Sequence, residues 1–385
     1  MLAVKELLGS RLKFGLIALA IGLVVSLTML MSAMSEGLVT GMTGAKGSLA
    51  ADALVFQADT YVQLERSLLS AEDLAAISVA EGVREAYGVG HAIVTVDSAE
   101  ERFDARVFGL GGRFDQLPIV EGAGGEPGRR EAIVDVTAAV NGVEVGDTLH
   151  LTPIDEEITV IGFTEDRRYT MAPAVYVDLA TWEELYLSGM LSRMAGGGGE
   201  GTPDAGTLTA RTSGGASIAA VELAEGVTPD DLAASLGEGF EVVTPEEAAM
   251  AGSGMNVMVL ATNGIQAVSL LIGALVIGVF FYVTTLHKTA QVAAIKALGA
   301  SSGYLYRQLL AQITILVTVA AVLGTLLALG AGRSMPPTMA FDPRPARWAL
   351  SLAAVYATAY LGSVFSLASI LRIDPAAALS ARSGT

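Results

Sequence analysis

Four long apolar runs divide the chain, and three hydrophilic stretches of very unequal length separate them. The first run, Phe14–Ser35, carries no charge before Glu36, and it exceeds the roughly 20 residues that a helix needs to cross a bilayer. Runs at 256–286, 309–332 and 348–371 are equally apolar. The pattern predicts an N-terminal segment at 1–13, a first span at 14–36 and a hydrophilic domain at 37–255. A second span at 256–286, a short loop at 287–308 and a third span at 309–332 follow. A loop at 333–347, a fourth span at 348–371 and a tail at 372–385 complete the chain. A cleaved leader would have an apolar core of only about 7–15 residues and a small-residue cleavage site. The first run is longer than that and reads as a retained anchor.

Within 37–255 the period changes. Ala53–Gln57, Ala92–Val96, Ala105–Phe108, Ala132–Val136, Thr148–Thr152, Ile158–Phe163 and Ala174–Val177 are short, rich in β-branched residues and bounded by Gly, Asp or Pro, which predicts strands. Ala71–Val79, Leu179–Tyr186 and Pro229–Leu236 read as helices, with Ser70, Asp178 and Thr228 placed to cap them. The stretch Gly196–Gly201 reads as a flexible loop tip. The expected fold is an integral-membrane α-helical protein with four transmembrane helices and a large extracytoplasmic α+β domain between the first and second.

Charge gives the orientation. Of 40 acids and 23 bases, 37 acids and 12 bases fall between Glu36 and Met250. The frame around this insert is basic. Lys5, Arg11 and Lys13 precede the first span, and His287, Lys288, Lys296 and Arg307 lie in the loop after the second. Because positive loops stay inside, both termini are expected in the cytoplasm and the large domain outside, in a plasma-membrane protein. The segment Leu2–Leu12 alternates apolar and basic positions and could lie on the inner membrane surface, in contact with lipid. Arg333, Arg344 and Arg347 break the rule, since their loop falls outside.

Chemistry is sparse. The chain lacks cysteine and has three scattered histidines, so thiolate sites and histidine metal pairs are excluded. No phosphate-cradling Gly-rich loop, nucleophile elbow or His-Glu-x-x-His occurs. The acidic balance argues against nucleic acid. In the second span Asn263 and Gln266 are polar at a spacing of three, and hydrogen bonding between helices is the default for such residues. A non-enzymatic membrane subunit with no intrinsic cofactor is the expectation.

One inner segment stands out. It runs from Lys288 through Gln291, Val292, Ile295, Lys296, Leu298 and Gly299 to Ser302. Val292, Ile295 and Leu298 fall near one helical face, and Gly299 is a natural C-terminal cap. This segment resembles the signature stretch of FtsX-like permeases, the MacB/LolC/FtsX class of ABC transporters (type VII permeases). The opening Lys5-Glu6-Leu7-Leu8-Gly9-Ser10-Arg11 and the ending Arg372-Ile373-Asp374-Pro375 fit the same class. Many members have Glu where this chain has Gln291. The resemblance implies a homodimer of the permease working with a separate ATPase subunit that binds ATP and docks on Gln291–Gly299. The short basic opening, the Gln in the inner helix and the Met-rich first span are most similar to the hemin-export (HrtB-like) and DevC-like branch. That implies export of hemin or another amphipathic toxic compound. The alternative within the class is a mechanotransmission permease that acts on an extracellular protein or lipoprotein and transports nothing.

The first span offers a physical counterpart to the hemin reading. Met29, Ser32, Ala33 and Glu36 share one helical face, with Met31 and Met34 to the side. A methionine thioether can ligate haem iron, small residues leave room for a flat ring, and an acid near membrane depth marks a functional site. Equally, Glu36 could simply begin the aqueous domain while Met29 packs. Arg333, Arg344 and Arg347 could meet the propionates of hemin, or pair with the acidic domain.

Overall fold

The computed structural model describes residues 11–47, 49, 51–98, 101–152, 156–196, 213–251, 255–287, 301–336 and 341–371. The helices are α1 (Arg11–Gly47), α2 (Ala71–Ser78), α3 (Leu179–Gly196), α4 (Pro229–Leu236), α5 (Pro245–Met250), α6 (Met255–His287), α7 (Ser302–Arg333) and α8 (Pro345–Leu371). The strands are β1 (Ala53–Gln57), β2 (Val83–Asp97), β3 (Arg102–Leu110), β4 (Ile119–Gly122), β5 (Glu131–Asp135), β6 (Thr148–Thr152), β7 (Glu156–Thr164), β8 (Ala174–Asp178), β9 (Ile218–Leu223) and β10 (Phe240–Val243). The chain divides into two units, 1–37 with 258–385, and 38–257. The segments at 1–10, 288–300 and 372–385, and with them Gln291–Gly299, lie outside the described residues.

The first unit is helical. Among the described residues, Phe14–Lys46, Val257–Phe280 and Tyr306–Arg333 are long and apolar enough to cross a membrane. The fourth long helix, α8, has 27 residues. Helix α1 does not stop at Glu36, where the charge predicts an end, but runs unbroken to Gly47. Glu36 ends the apolar run but not the helix, since Glu is itself a good helix former. Phe14, Ala18, Ile21, Val25 and Met29 of α1 pack with Ile277 of α6, Ile313, Leu316 and Val317 of α7, and Val355 and Ala359 of α8. Small residues set the spacing: a Cβ at Gly324 of α7 would lie 2.5 Å from the Gly22 carbonyl oxygen of α1. In hydrocarbon such close approach is what holds helices together, since burying apolar surface gains nothing over lipid. Hydroxyls supplement it, with Thr314 and Thr318 of α7 each 2.8 Å from the phenol oxygens of Tyr360 and Tyr356 on α8. Helix α6 is the least covered. Val257, Leu260, Val268, Leu271, Leu275 and Val279 are all more than half exposed, leaving a face that only hydrocarbon or another apolar surface can cover.

The second unit is built on one ten-stranded mixed sheet in the order β10-β1-β9-β2-β3-β8-β5-β7-β4, with β6 pairing β2 and β7. The seven strands expected from the sequence all form, as do the three expected helices. Ser70 and Thr228 close full capping boxes with Asp73 and Asp231, each satisfying two orphan amides. Asp178 accepts from the Thr181 amide at 3.1 Å. One face of the sheet buries Phe56, Tyr87, Phe108, Ile133 and Tyr176 with Ala45. The other buries Trp182 and Leu185 over Val94, Val107 and Val175. Gly90 and Gly109 are directly paired on β2 and β3, and a Cβ at either would collide with the Trp182 side chain. The two glycines are therefore the socket for that side chain.

His91 points to the opposite face from Gly90, between Phe108 and Tyr169 at ring separations of 5.2 and 5.3 Å. Its Nδ1 is 4.0 Å from a Glu65 oxygen, too far for a hydrogen bond. Desolvation therefore outweighs that carboxylate, and burial, helped by the nearby charges of Arg106 and Lys46, pushes the imidazole pKa down to about 3. An unfolded histidine protonates near 6.5. Between those values the unfolded chain holds a proton that the native domain refuses. Stability from this group is thus complete above pH ~6.5 and declines as pH falls through the window. The loss should reach about 2 kcal/mol at pH ~5. Urea midpoints of the purified protein near neutral pH and at pH ~5 should separate accordingly, and His91→Phe should narrow the gap. An unchanged gap would remove His91 as its source.

Candidate functional site

The face of α1 singled out by spacing turns inward. Met29 is fully buried, Ala33 and Ser32 are nearly so, and the Glu36 side chain is 12% exposed. These four pack within the helical unit. Met34 is exposed and Met31 half-buried, so the three methionines of the span do not converge on one point. The covered side of α1 is set by the pattern at its other stripe, where Leu16, Leu19, Leu23 and Leu27 are left exposed.

Glu36 lies against the start of α8. One carboxylate oxygen is 2.7 Å from Arg344 Nη1, and the other is 3.1 Å from Arg347 Nε. Arg344 also donates to Asp342 at 2.8 Å, and the Asp342 amide donates to the Ala33 carbonyl at 3.0 Å. Two guanidiniums thus share one carboxylate, and both are about half exposed. Two of the three arginines of that loop thus pair with Glu36 of the helical unit rather than with the acidic domain. Arg333 is exposed at the end of α7 and has no ion pair among the described residues.

One turn deeper the same two helices meet again. Ser351 Oγ donates to Ser32 Oγ at 3.3 Å, and Gln266 Nε2 of α6 donates to Ser351 Oγ at 3.2 Å. The residue numbers of each pair, 36 with 347 and 32 with 351, step by four in opposite directions. Helices α1 and α8 are therefore antiparallel neighbours joined by two polar rungs. Spacing along the sequence marked Gln266 as an interhelical donor but gave no signal for Ser351, whose partner is 319 positions away. The buried Nε1 of Trp348 has no partner among the described residues; it sits on the Arg344 face of α8, four residues on, and packs against the cluster that contains Met29.

The second unit holds a further arrangement that spacing did not reveal. The last turns of α1 are gripped by the loop at 165–172. The Met171 and Thr170 amides donate to the Gly41 and Met42 carbonyls at 2.8 and 3.1 Å, and the Ala45 amide donates to the Arg168 carbonyl at 3.0 Å. Lys46 donates to the Val62 carbonyl at 2.9 Å and lies 5.4 Å from the Phe56 ring centre. Val62 has φ 56° and Met171 φ 62°, left-handed conformations that cost a β-branched or bulky residue energy. The surrounding hydrogen bonds hold them there. Among the described residues no group of acids and histidines could hold a metal ion.

The layout is thus a long helix leading into a mixed α/β domain, with further apolar helices after it. The family description of a MacB-like periplasmic core domain matches residues 14–238, more than half the chain, and that of an FtsX-like permease C-terminal region matches residues 263–375. The chain belongs to the MacB/FtsX-like permeases, the membrane subunits of ABC transporters.

Among individual proteins, it is similar to one named as a putative hemin transport system permease, HrtB, of Staphylococcus haemolyticus. The identity is 31% over 108 residues, covering 28% of this chain and 31% of that protein. A protein of the same name from Staphylococcus epidermidis is 26% identical over 109 residues, with the same shares. The matched stretch is thus about a third of these relatives' length. Solved structures give weaker likenesses. The periplasmic region of MacB from Actinobacillus actinomycetemcomitans aligns with TM-score 0.36 and 13% identity, over 52% of this chain and 92% of that one. The extracellular domain of the noncanonic ABC-type transporter YknZ from Gram-positive bacteria aligns with TM-score 0.34 and 15% identity, over 50% and 98%.

Proposed function

We propose that this permease exports hemin, or an amphipathic compound of similar shape and charge, from the membrane outward. Two copies would form the membrane unit, and a separate ATPase would dock on Gln291–Gly299 and drive it. The observation that carries the reading is the 31% identity to a protein named as a hemin transport permease. Lesser support comes from the composition of the α1 seam, where Met29, Ser32 and Ala33 lie beneath the Glu36–Arg344–Arg347 cluster. In this reading both termini are cytoplasmic, and the domain at 37–255 lies outside the plasma membrane.

The packing adds a constraint. Met29 is wholly enclosed, so its thioether can reach a haem iron only when α1 parts from its neighbours. Hemin added to the purified protein should therefore show a displaced Soret band whose amplitude grows slowly, and Met29→Ala should shift that band further and weaken binding about tenfold, in keeping with the loss of one axial ligand. A spectrum identical to that of hemin in detergent alone, in wild type and variant, would refute hemin as the substrate.

A mechanotransmission role has one feature in its favour. Within the second unit residues 168–171 hold the Gly41–Ala45 end of α1, the kind of fixed contact that transmitting a push would need. Capture of a stoichiometric protein partner by the full chain, with no ligand bound, would favour this second reading.

A further inference from the structure

We infer that Glu36 is a stand-in carboxylate: it occupies Arg344 and Arg347 until a carboxylate of the transported amphiphile takes its place, and its release unties α1 from α8.

The inference starts from an imbalance of exposure. The Glu36 side chain is 12% exposed, whereas those of Arg344 and Arg347 are 51% and 55% exposed. The carboxylate is thus held inside, while the two guanidiniums are about half exposed, with Arg344 also holding Asp342 at 2.8 Å. A guanidinium has five donors in a planar fork suited to carboxylates. A ligand approaching from the open side can engage both arginines before Glu36 leaves. A ligand carboxylate that engages the guanidiniums as Glu36 leaves keeps both cations paired throughout. The buried indole N–H of Trp348, four residues on from Arg344, has no partner among the described residues and becomes one more donor once α1 and α8 part.

The geometry of the rungs supplies the consequence. Helices α1 and α8 are tied polar-to-polar at Glu36 with Arg347 and at Ser32 with Ser351. Losing the charged rung leaves only neutral ties, the Ser351–Ser32 hydrogen bond of 3.3 Å, shared with Gln266, and the Asp342 amide's bond to the Ala33 carbonyl just ahead of α8. Below it lie Met29, Val25 and Val355, an apolar seam suited to the ligand's hydrophobic body. The substrate class is therefore an amphiphile with a carboxylate head, and a second carboxylate would let it meet Arg344, which also holds Asp342, as well as Arg347. This rests on the exporter reading for its direction of travel and on the ion cluster for its chemistry.

The test uses the full-length chain in detergent, with iron-free protoporphyrin IX and its dimethyl ester as probes, followed by porphyrin fluorescence. Wild type should prefer the dicarboxylate. Glu36→Gln should bind the dicarboxylate about tenfold tighter than wild type and leave the diester unchanged. Arg344→Gln with Arg347→Gln should erase the preference. Where Glu36→Gln does not fold, Glu36→Asp serves, since its shorter reach weakens the tie and should also tighten dicarboxylate binding. Weaker or unchanged dicarboxylate binding by the Glu36 variants would overturn the exchange while leaving a porphyrin substrate in place.

A second measurement separates the two ideas. Spin labels at Met34 and Leu350, both exposed, report the separation of α1 and α8, with dodecanoate as a simple carboxylate amphiphile. Dodecanoate should widen wild type to the distance seen in Glu36→Gln. Such widening with no porphyrin binding would keep the exchange and discard the hemin reading. No change with dodecanoate, and an unchanged distance in Glu36→Gln, would discard the exchange.

Discussion

Trp182→Ala should cost the inserted domain about 3–5 kcal/mol, the range for removing a fully buried large aromatic. The indole is fully buried, and it fills a socket made by the absence of side chains at Gly90 and Gly109. Alanine leaves a void that the paired backbone of β2 and β3 cannot close, because nine register pairs hold those strands together. A domain of this size has only about 5–15 kcal/mol to lose. The converse substitution, Gly109→Val, should be at least as damaging, because its Cβ would occupy space that the indole holds. Near-UV circular dichroism of the purified protein during urea titration follows both variants. A midpoint within error of wild type for either would mean that the sheet and α3 do not pack as described.

Gly324→Leu should have the second largest effect, on the helical unit. A Cβ there would stand 2.5 Å from the Gly22 carbonyl oxygen and 2.7 Å from Val25 Cβ. Even alanine requires backbone movement, and leucine requires α1 and α7 to separate. Overpacking of a close core costs about 1–3 kcal/mol, occasionally more, and here it also removes the contact that replaces the hydrophobic effect in lipid. At Gly330, on the same helix, a Cβ would meet no atom within 4 Å, so Gly330→Leu should be tolerated. Yield of monodisperse protein after extraction, and its thermal midpoint, should fall for Gly324→Leu and hold for Gly330→Leu. Equal behaviour of the two would argue against the α1–α7 contact.

Local signals carried much of this architecture. The capping boxes at Ser70 and Thr228 were legible because their partners are three residues away. The seven strands were legible because they are short, rich in β-branched residues and bounded by Gly, Asp or Pro. Strand β9 carries Ala219, Ala220 and Glu222, weak strand formers, and β4, at the edge of the sheet, is mostly exposed and lacks an apolar stripe. The shared face of Met29, Ser32, Ala33 and Glu36 followed from helical spacing. Its direction did not, because periodicity tells which residues lie together and not what covers them. The partners of Glu36 lie near the far end of the chain, so neither the continuation of α1 to Gly47 nor the two-arginine cluster had a local signature. The strained loops that grip the end of α1 are equally nonlocal, since their left-handed residues include Val62 and Met171, side chains that give no warning of a turn.

In the proposed orientation the acidic domain lies outside and the segment after the second span lies inside. The natural absence of cysteine makes a direct measurement available. Single cysteines at Val79, which is 83% exposed in the domain, and at Ala293 are labelled with a membrane-impermeant maleimide. On intact cells Val79→Cys should react, and Ala293→Cys should react only after permeabilisation. Labelling of Ala293→Cys on intact cells, with Val79→Cys protected, would contradict the account.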